Sequence, residues 1–281
     1  MSSEPTPPPK NKPVGFLWRI ARSILVVYLV VLLLMLFLEN ALIFPAPRYP
    51  SGNWEHPFED IFFESKDGTK LHGLFVDHPN PKAHLIFFHG NGEHVANSID
   101  LLENYRDDFQ ATVFAFDYRG YGRSEGKPHE KGVLADGHAA HKWFTDKAGV
   151  GPNEIVLIGR SLGGAVAVDL AAEYGARALV LERTFTKMPD VAARLYPILP
   201  IRFLMKTQLD SQSKIHKYDG PLLQSHGTRD EIVPYDLGQK LFETATTQHK
   251  EFYADEGGGH NDAYSREYWT KLTEFMHNLE E

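Results

Sequence analysis

The sequence predicts an α/β fold: a mostly parallel, eight-stranded sheet with helices on both faces, preceded by one N-terminal hydrophobic helix. Three observations carry this. Short apolar runs alternate with helical patterns from Ile61 onward, as in βαβ construction. Polar, glycine-containing clusters follow several of those runs, where ligand sites form at the carboxyl ends of parallel strands. Every residue from Ile24 to Leu38 is apolar or Tyr, which leaves no polar face for a soluble helix.

Composition narrows the function classes. The 281 residues are 42% hydrophobic, enough for one sizeable core plus appendages. A net charge of −8 without a basic run argues against a nucleic-acid partner. The chain has no cysteine, which excludes disulfides, zinc–thiolate sites and a thiol nucleophile. No internal repeat and no phosphate-binding glycine loop is evident.

In chain order, residues 1–13 hold five prolines among small and charged residues and read as a disordered tail. Residues 14–44 read as a transmembrane signal-anchor helix. The uninterrupted run covers about 22 Å at the α-helical rise, and flanking apolar residues extend it toward the roughly 30 Å of a bilayer core. A cleaved signal peptide fits less well, since Ala41 would have Glu39 at −3 and Ala46 would have Phe44. Lys10, Lys12, Arg19 and Arg22 precede the span, while the charges that follow it are mostly acidic. That bias puts the N-terminus in the cytoplasm and the large C-terminal part across the membrane, with Tyr49 and Trp54 placed to meet the interface. Residues 45–57, rich in proline, read as a stiff linker, and the folded domain is expected over 58–281.

Ile61–Glu64 and Leu71–Val76 flank Lys66-Asp67-Gly68-Thr69, a hairpin turn. Further strands are expected at Leu85–Phe88, Thr112–Phe116, Ile155–Ile158, Ala178–Leu181, from Leu222, and at Glu251–Ala254. Helical patterns cover Ile99–Tyr105, Lys131–Lys147, the Ala-rich run after Gly164, Leu237–Phe242 and Tyr264–Leu279. Residues 186–217 form a less regular, apolar, cap-like insert between two strands. It is read either as the lining of an acyl pocket or as a plain cover for the sheet.

The chemistry centres on Gly159-Arg160-Ser161-Leu162-Gly163, a G-x-S-x-G pattern set between a buried apolar run and an Ala-rich helix. That context makes the pattern a nucleophile elbow. A serine hydroxyl needs a base to take its proton, and the base needs a carboxylate to fix its tautomer. His260 follows the last strand after three glycines, and Asp230 follows the strand before it. Glu182 and Asp255 are rival acids. His89 and His226 are expected to support loops, and His138 with His141 to lie on a solvated helix face, without a third metal ligand.

These motifs resemble the α/β-hydrolases, in the order serine, acid, histidine, and within them the Bem46-like, membrane-anchored serine hydrolases. The residues that carry the resemblance are His89-Gly90-Asn91, the run Asp117 to Ser124, Gly159 to Gly164, the run His226 to Pro234, and Gly259-His260-Asn261-Asp262. It covers about residues 58–281; an additional glycine, Gly257, departs from the pattern without displacing the base. The resemblance implies Ser161 as nucleophile, His260 as base and Asp230 as acid, with the backbone amides of Asn91 and Leu162 as the oxyanion hole. It also implies no cofactor. The expected function is hydrolysis of an acyl, lipid-like ester or thioester through an acyl-enzyme, beside the bilayer. A peptidase of the prolyl-oligopeptidase-like type and a non-catalytic membrane scaffold are the alternatives. Serine at the elbow argues against dehalogenase and epoxide-hydrolase chemistry, which use Asp there.

Overall fold

The architecture comes from a computed structural model that describes residues 14–48 and 55–279. The expected disordered tail, Tyr49, Trp54 and part of the expected linker lie outside the described residues.

Eight strands form one sheet in the order β1-β2-β4-β3-β5-β6-β7-β8. They are β1 Glu59–Glu64, β2 Lys70–Val76, β3 Ala83–Phe88, β4 Ala111–Asp117, β5 Ile155–Arg160, β6 Ala178–Glu182, β7 Leu222–Gly227 and β8 Lys250–Asp255. β1 and β2 form the expected antiparallel hairpin, β2 pairs antiparallel with β4, and all other pairings are parallel.

Two clusters of buried residues fill the two faces, because successive side chains on a strand point in opposite directions. On β4, Phe114 and Phe116 join one cluster while Ala111, Val113 and Ala115 join the other. The first face is covered by α4 Glu130–Ala148, α5 Leu162–Tyr174 and α8 Tyr235–Thr244, and the second by α3 Ile99–Asp108 and α9 Arg266–Asn278. Strand order reverses where β3 lies between β4 and β5, so the loops leaving β3 and β5 diverge and open a crevice at the strands' carboxyl ends.

Two regions differ from the sequence expectation. The N-terminal apolar stretch forms α1 Val14–Phe37 and a short α2 Glu39–Ile43, with a break at Leu38. Its Gly15–Phe37 portion is long and apolar enough to cross a membrane, and its most apolar window holds no fully buried residue. The chain then packs on the domain well before Phe58. Phe44 is 3% exposed, the Pro47 carbonyl accepts from the Gly122 amide, and the Arg48 guanidinium donates to the Ser124 carbonyl at 2.8 Å. β7 begins at Leu222, as expected, and continues through the buried Gln224, Ser225 and His226 to Gly227.

Candidate active site

Ser161 stands between β5 and α5 with φ 52° and ψ −114°, a conformation that a side-chain-bearing residue adopts only when its surroundings impose it. The surroundings do so by crowding. A Cβ on Gly159 would lie 2.5 Å from the Gly163 carbonyl oxygen, and one on Gly163 would lie 2.0 Å from that of Phe88. Only at those glycines can strand and helix approach closely enough to make the turn. The Ser161 amide donates to the Glu182 carbonyl at 2.8 Å, and its own carbonyl accepts from the Thr184 hydroxyl at 2.8 Å.

His260, on the loop after β8, brings Nε2 to 3.0 Å from Ser161 Oγ, while its Nδ1 lies 2.7 Å from Asp230 Oδ2. A carboxylate only accepts, so the imidazole proton sits on Nδ1 and leaves Nε2 to accept from the serine. Burial alone pushes the Asp230 carboxyl up. Hydrogen bonds from His226 and His260, the His260 charge and the Val233 amide outweigh this and hold it well below the usual carboxylate range. The Ile232 and Val233 amides donate to Oδ1 at 2.9 and 2.7 Å, leaving Oδ2 to face the histidine. All three side chains come from loops at the carboxyl ends of β5, β7 and β8, which are far apart in sequence.

The two rival acids are engaged elsewhere. Glu182 accepts from the Tyr264 and Tyr268 hydroxyls at 2.5 Å each, and burial raises its carboxyl against those bonds and the nearby Arg160 and Arg183 charges. Asp255 pairs with Arg183 at 3.4 Å. His89 donates from Nδ1 to the Gly90 carbonyl at 2.8 Å, and His226 from Nε2 to that of Val233 at 2.8 Å, so both brace loops. Asp117 accepts from the Val95 amide at 2.9 Å and faces His72 at 3.0 Å, a turn-building role. His138 bonds Tyr174 and Asp169, whereas His141 is buried at 5% exposure and not on a solvated helix face, and no metal-binding cluster occurs among the described residues.

Asn91 follows β3 and lines the same cavity as Ser161, Leu162 and His260. Its side chain is tied on both sides: Oδ1 accepts from the Tyr121 hydroxyl at 2.5 Å, and Nδ2 donates to the Ile43 carbonyl. Leu162 opens α5, where a helix's first amides lack intrahelical acceptors and carry partial positive charge.

Sequence reasoning missed two groups. Arg183, itself at φ 50°, donates from Nη1 to the carbonyls of His260 at 2.8 Å and Asp262 at 2.7 Å, pinning the histidine loop. The signal available was an arginine just past a buried strand end. The second group lies on the hydrophobic N-terminal segment. Leu32, Met35, Leu36, Glu39, Leu42 and Ile43 line a cavity of about 360 Å3 that ends at Ser161 and His260. The opposite wall comes from α6 Met188–Leu195 and α7 Ile201–Leu204. The 188–205 segment therefore lines a pocket.

Comparison with known proteins agrees with this fold. A model of the alpha/beta hydrolase fold matches residues 83–197. An uncharacterized protein of Mycobacterium tuberculosis is 35% identical over 205 residues, 72% of either chain. The human alpha/beta hydrolase domain-containing protein 17B is 32% identical over 228 residues, 80% of this chain and 77% of that one.

The chain belongs to the α/β-hydrolase family.

Among solved structures of this family's fold, a Pyrococcus furiosus esterase superposes with a TM-score of 0.68 at 21% identity, over 84% of this chain and 98% of its own. In this chain Ser161, His260 and Asp230 follow β5, β8 and β7 and meet at the carboxyl edge of the sheet.

Proposed function

We propose that this α/β-hydrolase is a Bem46-like, membrane-anchored serine hydrolase that cleaves an acyl ester or thioester through Ser161, His260 and Asp230. The observation that carries the proposal is the unbroken chain of contacts Ser161 Oγ–His260 Nε2, 3.0 Å, and His260 Nδ1–Asp230 Oδ2, 2.7 Å, at the floor of an apolar cavity.

In this reading, Ser161 Oγ attacks the acyl carbonyl as its proton passes to His260 Nε2. Asp230 holds the imidazole in register and stabilises the imidazolium. The oxyanion is received by the Asn91 and Leu162 amides, each such donor being worth about 3 kcal/mol of barrier. The imidazolium protonates the departing alcohol or thiol, leaving an acyl-Ser161. A water deprotonated by His260 then attacks the same carbonyl, and the second tetrahedral species collapses to release the acid and restore the serine. No cofactor enters these steps.

The apolar cavity favours an acyl group over a peptide and supports the esterase reading over a peptidase. Residues 14–44 would span the bilayer with the N-terminus cytoplasmic, leaving the 58–281 domain on the other side; the N-terminal arginines and lysines support that orientation. Protease protection in sealed vesicles tests it, and alkaline carbonate extraction tests the anchor. For the chemistry, a fluorophosphonate probe should label the wild-type chain at Ser161, and p-nitrophenyl esters should be cleaved in preference to aminoacyl-anilides. A folded wild type that the probe leaves unlabelled overturns the enzyme reading and favours a scaffold.

A further inference from the structure

The half-buried residues of the N-terminal segment are Tyr28, Leu32, Met35, Leu36, Glu39 and Ile43, while the residues between them are mostly exposed. Offsets of 4, 7, 8, 11 and 15 from Tyr28 put all six on one helical face. That face is turned to the enzyme. The Tyr28 hydroxyl donates to the Ile198 carbonyl at 3.2 Å. One Glu39 carboxylate oxygen accepts from the Lys206 and Thr207 amides at 3.0 and 2.7 Å, and the Ile43 carbonyl holds the Asn91 side chain. The segment between α6 and α7 therefore reaches Tyr28, about 14 Å up the helix from Phe37 at the α-helical rise. Two cap residues outside the cavity lining are apolar and open: Ile198, between the helices, is 84% exposed and Phe203, on α7, 89%.

We propose that the anchor helix is itself part of the active site. Its stripe Leu32, Met35 and Leu36 forms one wall of an acyl-chain pocket whose mouth opens into the bilayer, so that the substrate is a single-chain acyl ester or thioester taken laterally from the membrane. The inference rests on the hydrolase reading above for its chemistry, but the pocket stands on geometry alone. Apart from Glu39, whose carboxylate is engaged by the Lys206 and Thr207 amides, polar lining gathers at the Ser161, His260, Asn91 and Asn261 end, whereas Leu195, Tyr196 and Ile232 are both lining and substantially exposed, which makes the rim apolar. An apolar rim beside a membrane-length helix admits chains from lipid more readily than from water. At about 30 Å3 per small group, the size of one liquid water, 360 Å3 accommodates a chain of about twelve methylenes. Glu39, at the bend between α1 and α2, latches the anchor to the chain that leaves the cap. Through Asn91, the anchor's end also bears on the oxyanion loop.

The test uses the full-length protein in lipid nanodiscs. For p-nitrophenyl esters of increasing length, kcat/KM should rise by up to about fourfold per buried methylene and level off near twelve carbons. Leu36→Trp, which fills the pocket, should lower the dodecanoate-to-butyrate ratio by about tenfold or more. Leu33→Trp, on the lipid-facing side of the same helix, should leave that ratio unchanged. Equal ratios in wild type and Leu36→Trp overturn the proposal. Independently of turnover, a fatty acid carrying a mid-chain diazirine, photolysed with the Ser161→Ala protein, should crosslink to residues 32–36 and 188–199. Crosslinks confined elsewhere, or none, also overturn it. If crosslinking succeeds while fluorophosphonate labelling of the wild type fails, the pocket stands and the hydrolase reading falls.

Discussion

The Ser161 elbow and the α6–α7 cap border the same cavity and are built on opposite principles. At the elbow, backbone approaches backbone so closely that no side chain fits on Gly159 or Gly163, and Ser161 is held at φ 52° by the hydrogen bonds that its amide donates to the Glu182 carbonyl and its carbonyl accepts from the Thr184 hydroxyl. The cap has two short helices and leaves Ile198 and Phe203 almost fully exposed. It is fastened by individual side chains. Glu39 caps the amides of Lys206 and Thr207, and Glu130 accepts from those of Gln208 and Leu209 at 2.8 Å each. Chemistry needs atoms fixed to within fractions of an ångström, which dense packing supplies. Selecting a flexible chain needs only an apolar surface of roughly the right size, which a loosely held cap provides.

The sharpest way to break this contrast is at the elbow. Ser161→Ala should lower kcat by on the order of 10^6-fold while the fold is kept, measured as ester turnover beside circular dichroism. Asp230→Asn keeps the shape but loses the carboxylate that sets the His260 tautomer, and should cost about 10^4-fold in kcat by the same assay. Gly163→Ala would force a Cβ to 2.0 Å from the Phe88 carbonyl oxygen, and should destabilise the domain by about 3 kcal/mol or more in denaturant unfolding.

Away from both regions, burial and then the neighbouring His138 charge push the His141 imidazole down from 6.5 to about 4. The folded state thus refuses a proton that the unfolded chain accepts below pH 6.5, so stability should fall as pH drops from 6.5 to 4. The loss is up to about 3 kcal/mol. Melting temperatures across that window should show it, and His141→Gln should flatten that part of the profile. The smallest effect belongs to the cap. Ile198→Ser, at a position 84% exposed, should change stability in detergent by less than about 0.5 kcal/mol. A large loss there would show the cap to be as tightly built as the elbow.

Much of the arrangement was legible in the residues. The alternation of apolar runs and helical patterns foretold the eight strands and their mostly parallel pairing, because burial on both faces requires apolar residues in succession. Gly159 to Gly164 announced the elbow, since only residues without side chains permit that turn. Ser161, Asp230 and His260 each follow an apolar run, which put the three side chains at strand ends before any geometry was known.

Two matters were settled only by tertiary structure, and a third gained its contacts there. The run His226 to Pro234 already favoured Asp230 over Glu182 and Asp255 by resemblance; the folded chain sets Asp230 against His260 while tyrosines occupy Glu182 and Arg183 occupies Asp255. Arg183 is an ordinary arginine until the His260 and Asp262 carbonyls arrive from 77 and 79 residues away. The N-terminal helix is apolar all round, so its sequence marks no preferred face, and the stripe from Tyr28 to Ile43 emerges only once the cap lies against it. Local patterns specify which segments become strands, turns and helices because those depend on neighbours in the chain. What walls the pocket, and what pins the histidine loop, depends on contacts between distant segments, and no local pattern encodes those.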